Sequence, residues 1–262
     1  MAKNKAKAMP IMGHLGELRK RLTYVALVLV AACIACFIEW KHVFGVLMHP
    51  LYQSTSVKNL SVFGVTEGFM SILKISIYAG LIVSLPFILY QFWAFIMPAL
   101  YENEKKSVMP YVAATTALFL GGITFAYFIV LPVGLKFLVN YGSRYFNMLL
   151  QADKYISFVS LFVLAFGVVF ELPLIMMLLA WIGILDYKKM RKYRKYAVLV
   201  EAVIAMVFTP SQDPVSMMLM LVPLVILYEI GIWLAKIVAK RKAKRQELAA
   251  ASETKGMEAH PV

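Results

Sequence analysis

Apolar residues gather along this chain into six long stretches almost free of charge, with short polar segments between them. They cover Leu22–Ile38, Ile75–Tyr101, Ser107–Leu135, Tyr155–Leu185, Tyr196–Pro210 and Pro214–Ala235, and only Glu171, Glu201 and Glu229 interrupt them. A bilayer core of about 30 Å takes ~20 apolar residues in helix. The pattern therefore predicts an all-α integral membrane protein with six transmembrane helices. The fifth and sixth are short, and fifteen residues rise only about 22 Å, so the bilayer thins beside them or longer neighbours cover them. Pro86, Pro173 and Pro223 fall inside spans and Pro98, Pro110 and Pro132 near their ends. Each removes a backbone donor and bends its helix, and kinked helices of unequal length build a concave wall.

The segments outside the spans are read in the same way. Leu15, Leu18 and Leu22 form a stripe beside His14, Glu17 and Arg21, so an amphipathic helix over about 11–21 leads into the first span. The first apolar run follows a basic segment, as in a signal peptide, but it is too long and no small-residue cleavage site closes it. The outer connections, about 39–68 and 136–154, have room for short caps and not for a folded unit. Residues 1–236 form one transmembrane domain. From 237 to 262 the tail is basic, rich in Ala, Lys and Glu, and expected to be disordered.

Composition and charge narrow the class. Hydrophobic residues make up 61% of the chain and charged ones 16%, which excludes soluble and disordered proteins. The formal charge of +13 first suggests nucleic acid. Yet 21 of the 27 positives lie in the N-terminal arm, the second-to-third and fourth-to-fifth connections and the tail. By the positive-inside rule both termini face the cytoplasm, and the charge needs no nucleic acid to explain it.

Catalytic chemistry finds no site in the residues. Cys33 and Cys36 have redox spacing but lie in mid-span without a second pair, and read best as small buried hydrophobes. Ser71-Ile-Leu-Lys74 lacks the companion motifs of an acyl-enzyme. The four histidines show no metal-ligand spacing, and no cofactor or metal is expected. Embedded carboxylates carry more weight, because a charge there costs several kcal/mol unless neutralised or hydrated. Glu171, mid-way along the fourth span, reads either as a packing residue or as the lining of a polar groove. Glu201 reads as one half of a local ion pair, and Glu229 as a partner of Lys236. On the cytoplasmic face, Glu17 is the one acid among the six positives of the arm, and Glu102 and Glu104 sit beside Lys105 and Lys106. Glu17 to Arg21 is an ordinary i,i+4 pair; such carboxylates also suit a receptor for guanidinium groups.

A series of blocks resembles a known family. They are His14-Leu-Gly-Glu-Leu-Arg-Lys-Arg21, Pro50-Leu51, Thr66-Glu-Gly-Phe69, the run from Pro86 to Tyr101 followed by Glu104, Phe125-Ala-Tyr-Phe128 with Pro132, Phe166-Gly-Val-Val-Phe-Glu-Leu-Pro173, Thr209-Pro210 and Tyr228-Glu-Ile-Gly231. In order and spacing, from about Met12 to Trp233, they resemble TatC, the multi-spanning subunit of the twin-arginine protein translocase. The resemblance implies a non-enzymatic core receptor of the bacterial inner membrane. Such a subunit binds twin-arginine signal peptides of folded export substrates on the cytoplasmic side, in a process driven by the proton-motive force. Carried over, Glu17 and Glu104 grip the paired arginines, and Arg19, Phe95 and Pro98 shape the same surface. Pro50 and Phe69 belong to the periplasmic cap. Glu171 lies in the concave groove, and Met206 and Thr209 lie where single-span partners of the TatA and TatB type dock. Self-association and contact with membrane lipids are expected, and nucleic acid is not. Two blocks depart from the family pattern, at Val65-Thr66-Glu67 and at Thr209-Pro-Ser-Gln-Asp213, which is one residue longer.

Two further readings compete with the receptor. A proton-coupled small-solute transporter using Glu171 predicts an inverted internal repeat, which the span lengths do not show. A purely structural scaffold predicts partner complexes without signal-peptide affinity.

Overall fold

The computed structural model describes the backbone of residues 11–55, 57, 59–100, 108–141, 149–209 and 213–258. Side chains are described within 15–55, 57, 59–95, 109–141, 149–209 and 213–241. Among these residues there is no β-strand, and one isolated bridge joins Ser61 to Gln151. The amphipathic segment and the first span form one continuous helix, α1 (Ile11–Ile38), and α2 (Trp40–Ser54) fills part of the first outer connection. The second span is α3 (Glu67–Leu100). The third is α4 (Val108–Phe125), a π segment (Ala126–Val130) and α5 (Leu131–Asn140). The fourth is α6 (Ala152–Val169) and α7 (Leu172–Ile182). Then come α8 (Tyr187–Lys192), α9 (Arg194–Phe208) and α10 (Pro214–Glu258).

Five helical segments are long and apolar enough to cross a membrane: Leu15–Ile38, Glu67–Phe95, Met109–Asn140, Ala152–Ile182 and Pro214–Arg241. The fifth apolar stretch is α9, which has only 15 residues. The sixth helix runs well beyond its apolar stretch. Where the sequence led us to expect disorder from 237 onward, α10 stays helical to Glu258. The segment is rich in Ala, Lys, Glu and Arg, strong helix formers, and a helix already nucleated in the membrane extends through them cheaply.

The prolines act unequally. Pro132 cannot donate to the carbonyl four residues back, and just before it the chain widens into the π segment, where the Leu131 N–H reaches Ala126 O. Pro173 follows a full break. The chain leaves α6 at Phe170, and Glu171 N-caps α7, its carbonyl accepting from Leu174 N–H (3.1 Å) and Ile175 N–H (3.0 Å). Pro86, by contrast, lies within an uninterrupted α3.

The core centres on α6, whose Ile156, Val159, Phe162 and Phe166 are buried against α3, α4 and the π segment. The peripheral α1 packs chiefly on α3. A Cβ on Gly80 would lie 2.7 Å from Cys33 Cα, so the two helices meet backbone to backbone. Cys33 there is a small packing residue, its Sγ 3.9 Å from Ile77 O. Helix α7 ends on Gly183 at φ +93°, with Ile184 N–H returning to Leu179 O at 3.0 Å.

Candidate functional site

The start of α1 and the far end of α3 lie together at one end of the bundle, the basic end. Glu17 is half-buried on α1. Its Oε1 accepts from Arg21 Nε (2.9 Å) and Nη2 (2.6 Å), while Arg21 Nη1 donates to Gln91 Oε1 on α3 at 2.9 Å. Arg21 thus joins the carboxylate to the neighbouring helix. Phe95, one turn beyond Gln91, is half-buried on the same helix. Trp93 is buried, and Tyr111 stacks on its ring with centroids 5.4 Å apart, which fixes this end of α3 against α4. Arg19 is exposed, and its carbonyl accepts the Thr23 hydroxyl at 2.9 Å. Glu104 lies outside the described residues. Pro98 lies in the α3 backbone, with its side chain outside them.

The embedded carboxylates lie apart from this group. Glu171 is buried at the α6–α7 break, and its Oε1 has no hydrogen-bond partner among the described residues. Glu201, on α9, is buried with neither oxygen partnered among them. The ion pair expected for Glu201 forms elsewhere. Arg194, two turns earlier on α9, engages Glu229 of α10 through Nε–Oε1 and Nη2–Oε2, each 2.7 Å. Glu229 therefore pairs with Arg194, not with Lys236. A planar fork matched to a carboxylate across two helices is the better-organised contact.

At the far end of α9, Thr209 is buried and its hydroxyl donates to Ala205 O. Met206 is exposed within an apolar face that includes Leu199, Val203 and Val207. Asp213, whose role the altered turn left open, caps α10. Its Oδ1 accepts Ser216 N–H at 2.7 Å, and Pro214 occupies the first helical position.

The opposite end, the cap, is tied together by polar contacts that the sequence reading did not find. Pro50 is buried within α2 and cannot donate to Val46 O. The Tyr127 hydroxyl does so instead at 2.6 Å, and Tyr155 donates to Leu47 O at 2.9 Å. The two outer connections bond through Ser61 N–H to Leu150 O (2.8 Å) and Ala152 N–H to Ser61 O (2.9 Å). Glu67 Oε2 accepts from Phe63 N–H (2.8 Å) and Gly64 N–H (3.1 Å), and Lys74 pairs with Asp153 across α3 and α6. The usable sequence signal was an in-helix proline, whose freed carbonyl needs a donor. Phe69 is exposed beside this network. No group of three or more His, Cys, Asp or Glu residues able to hold a metal occurs among the described residues.

Comparison with known proteins bears on both ends. Residues 13–223 match the family model described as Sec-independent protein translocase protein (TatC). The TatC protein of Aquifex aeolicus is 38% identical over 241 residues, covering 91% of this chain and 100% of that protein. That of Helicobacter pylori strain J99 is 38% identical over 225 residues, covering 86% and 88%. A crystal structure of a twin-arginine translocase receptor, TatC, superposes with a TM-score of 0.79 at 38% identity, covering 86% of this chain and 99% of that one. The match reaches from the Glu17 segment across every span to the early turns of α10, so this chain belongs to the TatC family of multi-pass membrane subunits of the Sec-independent, non-enzymatic protein translocase.

Proposed function

We propose that the chain is the receptor subunit of its translocase, binding the twin-arginine signal peptides of folded precursors at the basic end. The observation that carries this reading is the placement of Glu17. Its carboxylate stands at the α1–α3 boundary, already in hydrogen-bond contact with the Arg21 guanidinium, which also reaches Gln91, and Phe95 lies one turn further along α3. A site that holds one guanidinium in this way has the chemistry to hold another, and planar bidentate geometry separates Arg-Arg from Lys-Lys. Glu104 supplies the second carboxylate, with Arg19, Phe95 and Pro98 around it. The basic end faces the cytoplasm with both termini, since most of the Lys and Arg residues lie there. Helix α9 completes six spans, and its exposed apolar face around Met206 receives single-span TatA- and TatB-type partners, with Thr209 at its end. Glu171 lines the concave groove, Pro50 and Phe69 belong to the periplasmic cap, and the proton-motive force drives transport.

The relatives are protein translocase subunits, and nothing supports small-solute transport by Glu171. The test is direct. A fluorescent twin-arginine signal peptide is titrated onto the purified full chain, then onto Glu17→Ala with Glu104→Ala. Loss of at least about tenfold in affinity is expected, since charge-assisted hydrogen bonds contribute ~1.5–3 kcal/mol each. Unchanged binding would sink the assignment.

A further inference from the structure

We infer that the surface formed by α8 and the membrane-exit segment of α10 is a binding site for an anionic phospholipid headgroup of the leaflet it faces. Helix α8 carries Lys188, Lys189, Arg191 and Lys192, followed at once by Arg194 and Lys195, and all six are exposed. Across from it α10 carries Lys236, Lys240 and Arg241, also exposed. Against these nine positives, the residues 186–195 and 229–241 contain two acids, Asp186 and Glu229. Both are engaged: Asp186 caps α8 by accepting Lys188 N–H at 3.0 Å, and Glu229 is held by Arg194.

A general inside-positive bias accounts for the sign of this charge but not for its mounting. A bias needs only basic residues in a loop. Here the chain builds a short capped helix and pins it. Met190 is the buried side chain of α8, packed with Met176, Ile232 and Ala235. The Tyr228 hydroxyl donates to Met190 O at 3.1 Å. This anchorage holds α8 at the level of Ile232–Ala235, immediately before Lys236, where α10 passes from apolar to basic sequence. Two short basic runs from different elements are thereby fixed at the height of a membrane surface. Exposed Tyr193 and Tyr196 lie beside them, with Lys195 Nζ 5.0 Å from the Tyr196 ring centroid. Tyrosines are favoured at this depth, and basic clusters at helix exits on the positive side suit lipid phosphates. Two basic runs on neighbouring elements offer charge for two phosphates, so diphosphatidylglycerol is the appropriate probe.

The purified full chain is delipidated in neutral detergent, and lipid retention is read by native mass spectrometry during titration with diphosphatidylglycerol or phosphatidylcholine. At least about tenfold preference for the anionic lipid is expected. Replacing Lys188, Lys189, Arg191 and Lys192 by Gln removes that preference, whereas Lys3→Gln with Lys5→Gln and Lys7→Gln leaves it intact. Met190→Ala keeps every charge but loosens the seat of α8, and the expected result is a several-fold loss of the preference together with a lower thermal midpoint. Equal retention of both lipids by the unaltered chain overturns the proposal. So does an equal loss in the arm variant, which means diffuse attraction. Full competition by millimolar inorganic phosphate or by a soluble acidic protein also overturns it, as the site is then not a lipid site.

Discussion

The two ends of the bundle are built differently. At the cap, α2, α3, the π segment, α6 and both outer connections are joined by backbone bridges, tyrosine hydroxyls on α2 carbonyls, and the Lys74–Asp153 pair. Among the described residues of the basic end, α1 and α3 are linked through Arg21 and Gln91, α9 and α10 through Arg194 and Glu229, and α10 and α8 through Tyr228 and Met190 O. A dense polar network has one arrangement and resists change. On the function proposed above, the cap serves as the rigid frame and the basic end as the face that receives the signal peptide.

The largest expected effect tests what joins α1 to that frame. Gly80→Leu inserts a side chain where Cys33 backbone atoms stand 2.7 Å from the ideal Cβ. Neither helix can yield without parting, so we expect a loss of about 3 kcal/mol and a lower thermal midpoint in detergent. Exchange protection should fall along α1 and persist in α6. Uniform loss over both helices would show that α1 is integral to the frame.

Lys74→Ala comes next. It leaves the partly buried Asp153 without its cation, and removes the weaker donation from Lys74 Nζ to Ser157 Oγ at 3.4 Å. The pair is partly exposed, so about 1–2 kcal/mol is expected rather than the larger cost of a fully buried charge. Lys74→Ala with Asp153→Ala should recover part of it, and a double-mutant cycle measures the coupling. Tyr155→Phe is smaller, about 0.5–1 kcal/mol for one hydroxyl-to-carbonyl bond in a membrane protein. It should loosen α2 without affecting signal-peptide affinity. A fall in affinity would break the division between frame and receiving face.

The contrast also explains what was legible in advance. Spans follow from runs of apolar residues, a property of consecutive positions, and so do the short α9 and the continuous basic arm. The cysteine reading held only in part: Cys33 packs as a small side chain against Gly80, but it and Cys36 are half-buried rather than buried, since α1 is peripheral. Contacts between distant residues were not legible. Nothing near Gln91 marks it as the acceptor for a side chain 70 positions earlier, and nothing near Lys74 points to Asp153. Prolines were half legible. Pro173 and Pro132 adjoin real irregularities, yet α3 runs unbroken through Pro86. Membrane helices tolerate proline when side chains and neighbours satisfy nearby backbone groups. For Glu201 and Glu229 the nearest cations in sequence were the wrong guide, because α10 brings Glu229 to Arg194 from the opposite strand of the α9–α10 hairpin.

The smallest expected effect on stability is the most informative about the receiving face. Arg21 directs two of its nitrogens to the same Glu17 oxygen and a third to Gln91. If Glu17 receives a guanidinium from the signal peptide, Arg21 is a resident competitor for that carboxylate. A partly exposed i,i+4 pair contributes only about 0.3–0.5 kcal/mol, so Arg21→Gln should move the thermal midpoint by less than the Tyr155→Phe variant does. Freeing the same energy at Glu17 corresponds to about a twofold gain in affinity for a twin-arginine peptide. The gain should shrink as salt rises, because the competition is between partly exposed charges. Arg21→Lys, which keeps the charge but loses the fork, should fall between the two. A tenfold loss in Arg21→Gln would reverse the reading: Arg21 would then orient Glu17 for its ligand, and the basic end would be preorganised like the cap.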